Sequence, residues 1–247
     1  MLLALFLLEV AAGLYLFLPL AGRRNAGVRF YRMILVIAGT LAFFAAAAHW
    51  LAGQVRLAIM DGGTIVLTLF VYFVLRFPKR LVFRLPAALL GVAYAIATVV
   101  AWDAAVRPPH PAWSVAGALS AIALLGSVNL AMTLGHWYLV VRGMPIDPLK
   151  RLTLATLAAT LAKIAVVVAA FAAGGLFHEI AVRQGIFFWM RAGWGLAGPL
   201  LLFPMVWGTV KIRSTMAATG ILYVDVVAVI IGEVIGAWLS TIAHLPV

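Results

Sequence analysis

The sequence predicts an all-α protein, a polytopic transmembrane helix bundle with eight spans. Eight apolar stretches are each long enough to cross the hydrocarbon core of a bilayer, and short loops join them. The 247 residues are 66% hydrophobic and 10% charged, whereas soluble proteins carry about 25% charged residues. No segment outside the apolar stretches is large enough to bury a core. We therefore expect residues 1–247 to form a single integral-membrane domain in lipid.

The first four stretches carry distinct start and end signals. The first has no basic residue at its beginning and ends before Gly22-Arg23-Arg24, which favours a retained span over a cleaved signal peptide. Asp61, Gly62 and Gly63 interrupt the third. Pro86 stands where the fourth begins, a position at which a missing N–H costs little. These four predicted spans are 2–20, 31–51, 57–76 and 86–102.

The last four stretches are longer. Pro111, Pro145 and Pro148 fall in the loops around the fifth and sixth, and Pro199 and Pro204 predict a kink in the seventh. Glycines spread over several spans indicate close helix packing. These spans are 113–141, 151–177, 186–210 and 216–242, and the glycines are Gly13, Gly126, Gly193, Gly195, Gly198, Gly232 and Gly236.

The basic residues predict an orientation. Thirteen of the eighteen Lys and Arg residues lie on alternate loops, so the positive-inside rule places those loops in the cytoplasm and both termini outside. This distribution also argues against nucleic acid as the partner of a chain with a net charge of +11. We expect a multi-pass protein of a bacterial-type inner (cytoplasmic) membrane. The thirteen are Arg23, Arg24, Arg29, Arg32, Arg76, Lys79, Arg80, Arg84, Arg142, Lys150, Arg151, Lys211 and Arg213.

Each ionisable side chain inside a bilayer raises the free energy of insertion by about 2.5–3.5 kcal/mol. Its presence therefore calls for a functional or structural explanation. One predicted group, the outer cluster, lies near the extracytoplasmic side and has the composition of a quinone-binding and proton-exchange site. The alternative is structural, with Glu233 and Arg191 neutralising each other. The outer cluster consists of Glu9, His49, Asp61, Arg191 and Glu233.

A second predicted group, the inner cluster, comes from the fifth, sixth and eighth spans. Asn129, Thr133 and His136 share one helix face, and Thr153, Thr156, Thr160 and Lys163 share another. Counting from the cytoplasmic ends pairs His136 with Thr156 and Asn129 with Lys163, and it makes Asp225 the natural partner of Lys163. The alternative is that these polar groups hold helices together. The cluster comprises Asn129, His136, Lys163 and Asp225.

The first functional hypothesis is a membrane subunit of a respiratory or other electron-transfer complex. The chain has no cysteine, so it holds no cysteine-ligated iron–sulfur cluster, and electrons must pass through partner subunits. A haem pair across the membrane needs two histidines at each of two depths, and His136 stands alone in the inner half. A single haem b between His49 and His178 stays open. Quinone is the favoured cofactor, and no metal site is expected otherwise.

The segment Ala218-Thr219-Gly220-Ile221-Leu222-Tyr223, followed by Gly232-Glu233, resembles the last helix of NrfD-type quinone-interacting membrane subunits. Eight spans with short loops are similar to the membrane subunit of polysulfide reductase and to the related DmsC anchor. The resemblance implies an anchor for redox partners of the iron–sulfur, cytochrome or hydrogenase type. It implies a quinone-site subunit of an oxidoreductase complex, and catalytic residues are not assigned from it.

Two other hypotheses stay open. Ala48-His49-Trp50 and Gly135-His136-Trp137 end spans of opposite direction, which is what an inverted repeat requires, and a central Lys163–Asp225 pair would suit a proton-coupled secondary transporter. The other is a scaffold or assembly subunit of a membrane complex, in which each polar group merely satisfies another.

Overall fold

The described part of the chain is mostly helical and contains no strand. The computed structural model describes residues 1–75, 80–141 and 143–247, without the side chains of residues 80–84. Arg76, Lys79 and Arg142, which contribute to the predicted charge asymmetry, lie outside the described residues, as do the side chains of Arg80 and Arg84.

Nine α-helices and three π-helical segments follow one another in the described residues. The helices are α1 Leu2–Ala21, α2 Gly27–Leu51, α3 Val55–Val74, α4 Arg80–Val106, α5 Pro111–Val140, α6 Asp147–Gly174, α7 Ile186–Met190, α8 Gly198–Lys211 and α9 Thr215–Ala243. The π-helical segments are Gly22–Ala26, Phe177–Val182 and Arg191–Ala197.

The helices are long and apolar enough to make this a helical membrane bundle. Seven continuous helical stretches among the described residues have the length and composition of membrane spans. The first of these, Leu2–Leu51, contains two helices, because α1 and α2 pack against each other. Gly22 and Gly27 allow the reversal between them through φ values of +69° and +80°. The Tyr31 hydroxyl donates a hydrogen bond to the carbonyl of Leu18 across this hairpin, at 3.1 Å.

α1 is the central helix. Twelve of its twenty residues are buried, and it packs against α2, α4 and α5, with further contacts to α6 and α9. A Cβ atom added to Gly13 would lie 2.4 Å from the Cα of Gly126, so α1 and α5 approach as closely as backbones can. The predicted packing role of these two glycines is confirmed. The central position of α1 carries Glu9 into the interior.

The seventh predicted span is not one regular helix. The five-residue α7 passes into the π-helical segment Arg191–Ala197 and then into α8. Pro199 occupies the first turn of α8, where proline is tolerated, and Pro204 lies inside that helix. Pro86 lies inside α4 and not at the start of a helix, because α4 begins at Arg80. The part of α4 with the length and composition of a membrane span is Leu85–Val106, which contains the predicted fourth span 86–102. Wide π-helical turns are frequent at functional sites.

Candidate functional site

Four buried ionisable side chains from four helical segments form what we call the ion cluster: Glu9, Lys163, Arg191 and Glu233. Glu233 Oε2 lies 3.1 Å from Lys163 Nζ, and Glu233 Oε1 lies 2.8 Å from Arg191 Nη2. Each of the four residues is at most 4% exposed. One carboxylate on α9 therefore bridges a lysine on α6 and an arginine on the π-helical segment after α7.

Glu9 adds the second carboxylate. It is 2% exposed on α1 and lies within electrostatic range of Glu233, Lys163 and Arg191. The cluster thus combines two acids with two bases, a composition that is neutral when all four are ionised. Neutrality is what a buried ionic group in a bilayer requires, because uncompensated charge there is expensive.

Small residues make room for the Arg191 guanidinium. A Cβ atom added to Gly195 or Gly236 would lie 2.8 Å from Arg191 Nη1 or 2.7 Å from Arg191 Nε. A Cβ atom on Gly232 would meet the Cα of Gly195 at 2.2 Å. Gly232 and Gly236 are four residues apart on α9, so they form one groove on a single helix face. The predicted close packing is confirmed for Gly195 and Gly232. These glycines also leave space for the guanidinium of Arg191.

Arg191 is only partly satisfied by hydrogen bonds. Its Nε donates to the carbonyl of Val247 at 3.3 Å, and Nη1 has no hydrogen-bond partner among the described residues. The Val247 amide donates to Ser240 Oγ at 3.0 Å, which holds the 244–247 segment against α9. A buried guanidinium with an unused donor can stabilise a developing negative charge or hold a ligand oxygen.

A second buried polar group lies among α2, α3 and α4, and we call it the histidine cluster. His49 Nδ1 donates to Asp61 Oδ2 at 2.7 Å, and both side chains are at most 1% exposed. His49 Nε2 has no hydrogen-bond partner among the described residues. Asp61 therefore fixes the orientation of the His49 ring. The histidine cluster comprises His49, Asp61, Thr64, Thr68 and Tyr94.

Hydroxyl groups extend this cluster toward the middle of the bundle. Thr64 donates to the carbonyl of Asp61 at 2.8 Å, and Thr68 donates to the carbonyl of Thr64 at 2.7 Å. The Tyr94 hydroxyl lies 3.1 Å from Thr68 Oγ1. Because the Thr68 hydroxyl already donates its proton to the carbonyl of Thr64, the Tyr94 hydroxyl is the donor in this contact. The result is a run of polar atoms along α3 that ends at the phenol of α4.

The structure therefore divides the predicted outer cluster into two groups. Glu9, Arg191 and Glu233 come together as expected, and the Arg191–Glu233 contact of the structural alternative exists. His49 and Asp61 instead pair with each other. The cause lies in the packing, since α2 packs chiefly against α1 and α3, whereas α9 packs against α5 and α8.

The predicted Lys163–Asp225 pair is wrong. Lys163 pairs with Glu233, which lies eight residues beyond Asp225 on α9, about 12 Å along the helix axis. Asp225 is 3% exposed, and its Oδ1 has no hydrogen-bond partner among the described residues. Counting residues from helix ends ignores tilt and the reach of the lysine stem, and both shift the level at which two side chains meet.

The remaining inner-cluster residues do not converge either. His136 is exposed, and Asn129 is half-buried with its amide donating to the carbonyl of Leu125. The threonines of α6 are buried, and their hydroxyls donate to carbonyls of their own helix. α5 buries a different face, which includes Leu124, Val128 and Leu134.

The two histidines considered for a single haem lie in different surroundings. His49 is fully buried on α2 with its Nδ1 on Asp61, whereas His178 is exposed in the segment Phe177–Val182. That segment contacts α7 and α9. No group of three or more metal-binding side chains occurs among the residues that the structure describes.

Sequence reasoning missed Lys163 as a member of the ion cluster and missed Thr64, Thr68 and Tyr94 altogether. A signal for two of these was present, because Asp61, Thr64 and Thr68 recur at three- and four-residue spacing on one helix face. The Gly232–Gly236 spacing beside Glu233 is a second such signal.

No protein-family model, curated protein or solved structure matches the chain.

Proposed function

We propose that the chain is the membrane-embedded subunit of an electron-transfer complex, in which it binds quinone or quinol and exchanges protons through the ion cluster. The main support for this proposal is that four ionisable residues from four helical segments come together inside the membrane helix bundle. They are Glu9, Lys163, Arg191 and Glu233. Quinone reduction consumes two electrons and two protons. Buried carboxylates beside cations are suited to pass those protons.

An open apolar groove on the outer side of the segment that carries Arg191 could receive a quinone ring. It has a volume of about 510 Å³ and is lined by residues of α7, the π-helical segment Arg191–Ala197 and α8, among them Trp189, Met190, Gly193 and Trp194. Quinone sites combine such an apolar slot with a few polar groups. The same π-helical segment presents Arg191 to the ion cluster on its buried side, which favours transfer between groove and cluster.

The orientation of the chain and its electron-transfer partners follow from the charge pattern and the composition. The eight predicted spans place both termini outside, and the ion cluster then lies in the outer half of a bacterial-type inner membrane. The electrons come from a partner of the iron–sulfur, cytochrome or hydrogenase class, since the chain has no cysteine. The resemblance of Ala218–Tyr223 and Gly232-Glu233 to NrfD-type subunits favours the same arrangement.

The test uses the complex isolated through a tagged chain and reconstituted in lipid nanodiscs. Trp194→Leu should weaken binding of a short-chain quinone, whereas Trp50→Leu, at an exposed tryptophan away from the groove, should not. Glu233→Gln and Glu9→Gln should abolish quinol-coupled turnover while Glu179→Gln, at an exposed carboxylate, leaves it intact. Unchanged turnover in both cluster variants would overturn the proposal.

A proton-coupled secondary transporter is the second candidate. Asp225 favours it, because this buried carboxylate lacks a partner for Oδ1 among the described residues and lies about 12 Å from Glu233 along α9. Two proton-binding levels on one helix suit alternating access. Lys163→Met should then stop substrate-driven proton uptake into proteoliposomes, and wild-type flux in that variant would exclude this candidate.

A further inference from the structure

A second groove lies at the opposite half of α1 from Glu9, where α1, α2 and α4 meet. It encloses about 490 Å³, within the roughly 300–1,000 Å³ of ligand pockets. Its walls are almost wholly apolar, and Leu16 and Val92 on its rim are 39% and 56% exposed, so it opens sideways toward lipid. Arg23 contributes a charged side chain to this lining.

The ends and floor of this groove are fixed by specific contacts. The Tyr15 hydroxyl donates to the carbonyl of Ala87 at 2.7 Å, which ties α1 to α4. A Cβ atom on Gly91 would lie 3.1 Å from Leu16 Cδ2, so the absence of a side chain there keeps the floor deep. Pro19 lacks an N–H and leaves the carbonyl of Tyr15 without its usual helical donor.

Arg23 is held at one end of the groove rather than extended into solvent. It belongs to the π-helical turn between α1 and α2, and its Nη2 donates to the carbonyl of Leu75 at 3.0 Å. Its charge also acts on the nearby Tyr31 phenol, another lining residue. A positive charge therefore marks the junction between the apolar groove and the membrane interface, where lipid phosphates lie.

We propose that this groove binds an anionic glycerophospholipid, with an acyl chain along α1 and α4 and the phosphate beside Arg23. Guanidinium groups bind phosphate strongly, and basic pockets between membrane helices bind anionic headgroups. A quinone would fit the apolar walls, but its neutral headgroup gives no reason for a cation at the mouth. The site is separate from the ion cluster and does not depend on the function proposed above.

The test compares lipids retained by the purified full chain, measured by native mass spectrometry. The wild-type chain should retain phosphatidylglycerol over phosphatidylethanolamine by about fivefold, the factor expected for one arginine near the membrane surface. Arg23→Gln should remove that preference. Arg24→Gln is the matched control, because Arg24 is exposed and does not line the groove.

A second variant keeps the test decisive if Arg23→Gln fails to fold. Ala88→Leu adds volume at an exposed lining position and should lower retention of both lipids. Equal retention of both lipids by the wild-type chain, equal losses in Arg23→Gln and Arg24→Gln, or retention of quinone in place of phospholipid would each overturn the proposal. Free phosphate bound as tightly as the lipid would do the same.

Discussion

Lys163 on α6 and Glu233 on α9 form an ion pair inside the bundle, with 3.1 Å between Nζ and Oε2. The other oxygen of the same carboxylate faces Arg191 at 2.8 Å. One acid thus serves two cations, and Glu9 lies within electrostatic range of all three groups. Changes at Glu233 must therefore affect three helical segments at once.

Replacing Glu233 with glutamine should destabilise the bundle strongly. The change leaves two buried cations with one carboxylate, and breaking a buried pair in this way costs about 3–5 kcal/mol. The free energy of unfolding in mixed micelles measures it. Glu179→Gln provides the control, because the Glu179–Arg183 pair is exposed and should contribute little. Equal stability of the two variants would show that the cluster does not hold the helices together.

Adding a methyl group at Gly232 should separate α9 from the π-helical segment. The new Cβ would lie 2.2 Å from the Cα of Gly195, and overpacking of this kind costs about 1–3 kcal/mol or more. Gly220→Ala on the same helix meets nothing within 4 Å and should be neutral or slightly stabilising. The midpoints of thermal unfolding distinguish the two, and similar midpoints would contradict the close approach.

Replacing Asp225 with leucine should stabilise the protein. The carboxyl group is buried, its Oδ1 lacks a hydrogen-bond partner among the described residues, and such a group costs about 1–3 kcal/mol. The expected result is a higher unfolding midpoint. A lower unfolding midpoint would reveal that Asp225 has a partner that supports the fold. A higher midpoint together with a loss of transport would favour the secondary transporter.

Removing the Tyr94 hydroxyl should cost about 1 kcal/mol, the usual contribution of one hydrogen bond. Tyr94→Phe leaves the Thr68 hydroxyl without the phenol that lies 3.1 Å away. Tyr223→Phe is the control, because that side chain is 47% exposed. If both variants unfold at the same denaturant concentration, the histidine cluster ends at Thr68 and does not extend to α4.

The helices could be predicted from the sequence because length and apolar composition alone define a span. The predicted stretch 216–242, for instance, became α9 at Thr215–Ala243. The interruption of the seventh span by a π-helical segment was not predictable, since hydropathy does not register one extra residue per turn. Arg191 reaches the interior at that interruption.

The site was predicted less well than the helices. Glu9, Arg191 and Glu233 were grouped correctly because unpaired charge in lipid is costly, so acids and bases at similar depth tend to meet. The partner of Lys163 was wrong because counting residues from helix ends ignores helix tilt and the reach of the lysine stem. The prediction for His136 was wrong because depth says nothing of rotation about the helix axis, and the contacts of α5 decide which of its residues are buried.

The central placement of Glu9 has a consequence for biogenesis. α1 leaves the ribosome before α6 and the segment after α7, which carry the two cations within electrostatic range of Glu9. Until those segments insert, α1 carries a carboxyl group into lipid without these cations beside it, which makes α1 a poor solitary span. A nascent polypeptide arrested before α6 should therefore depend on the insertion machinery and be degraded quickly.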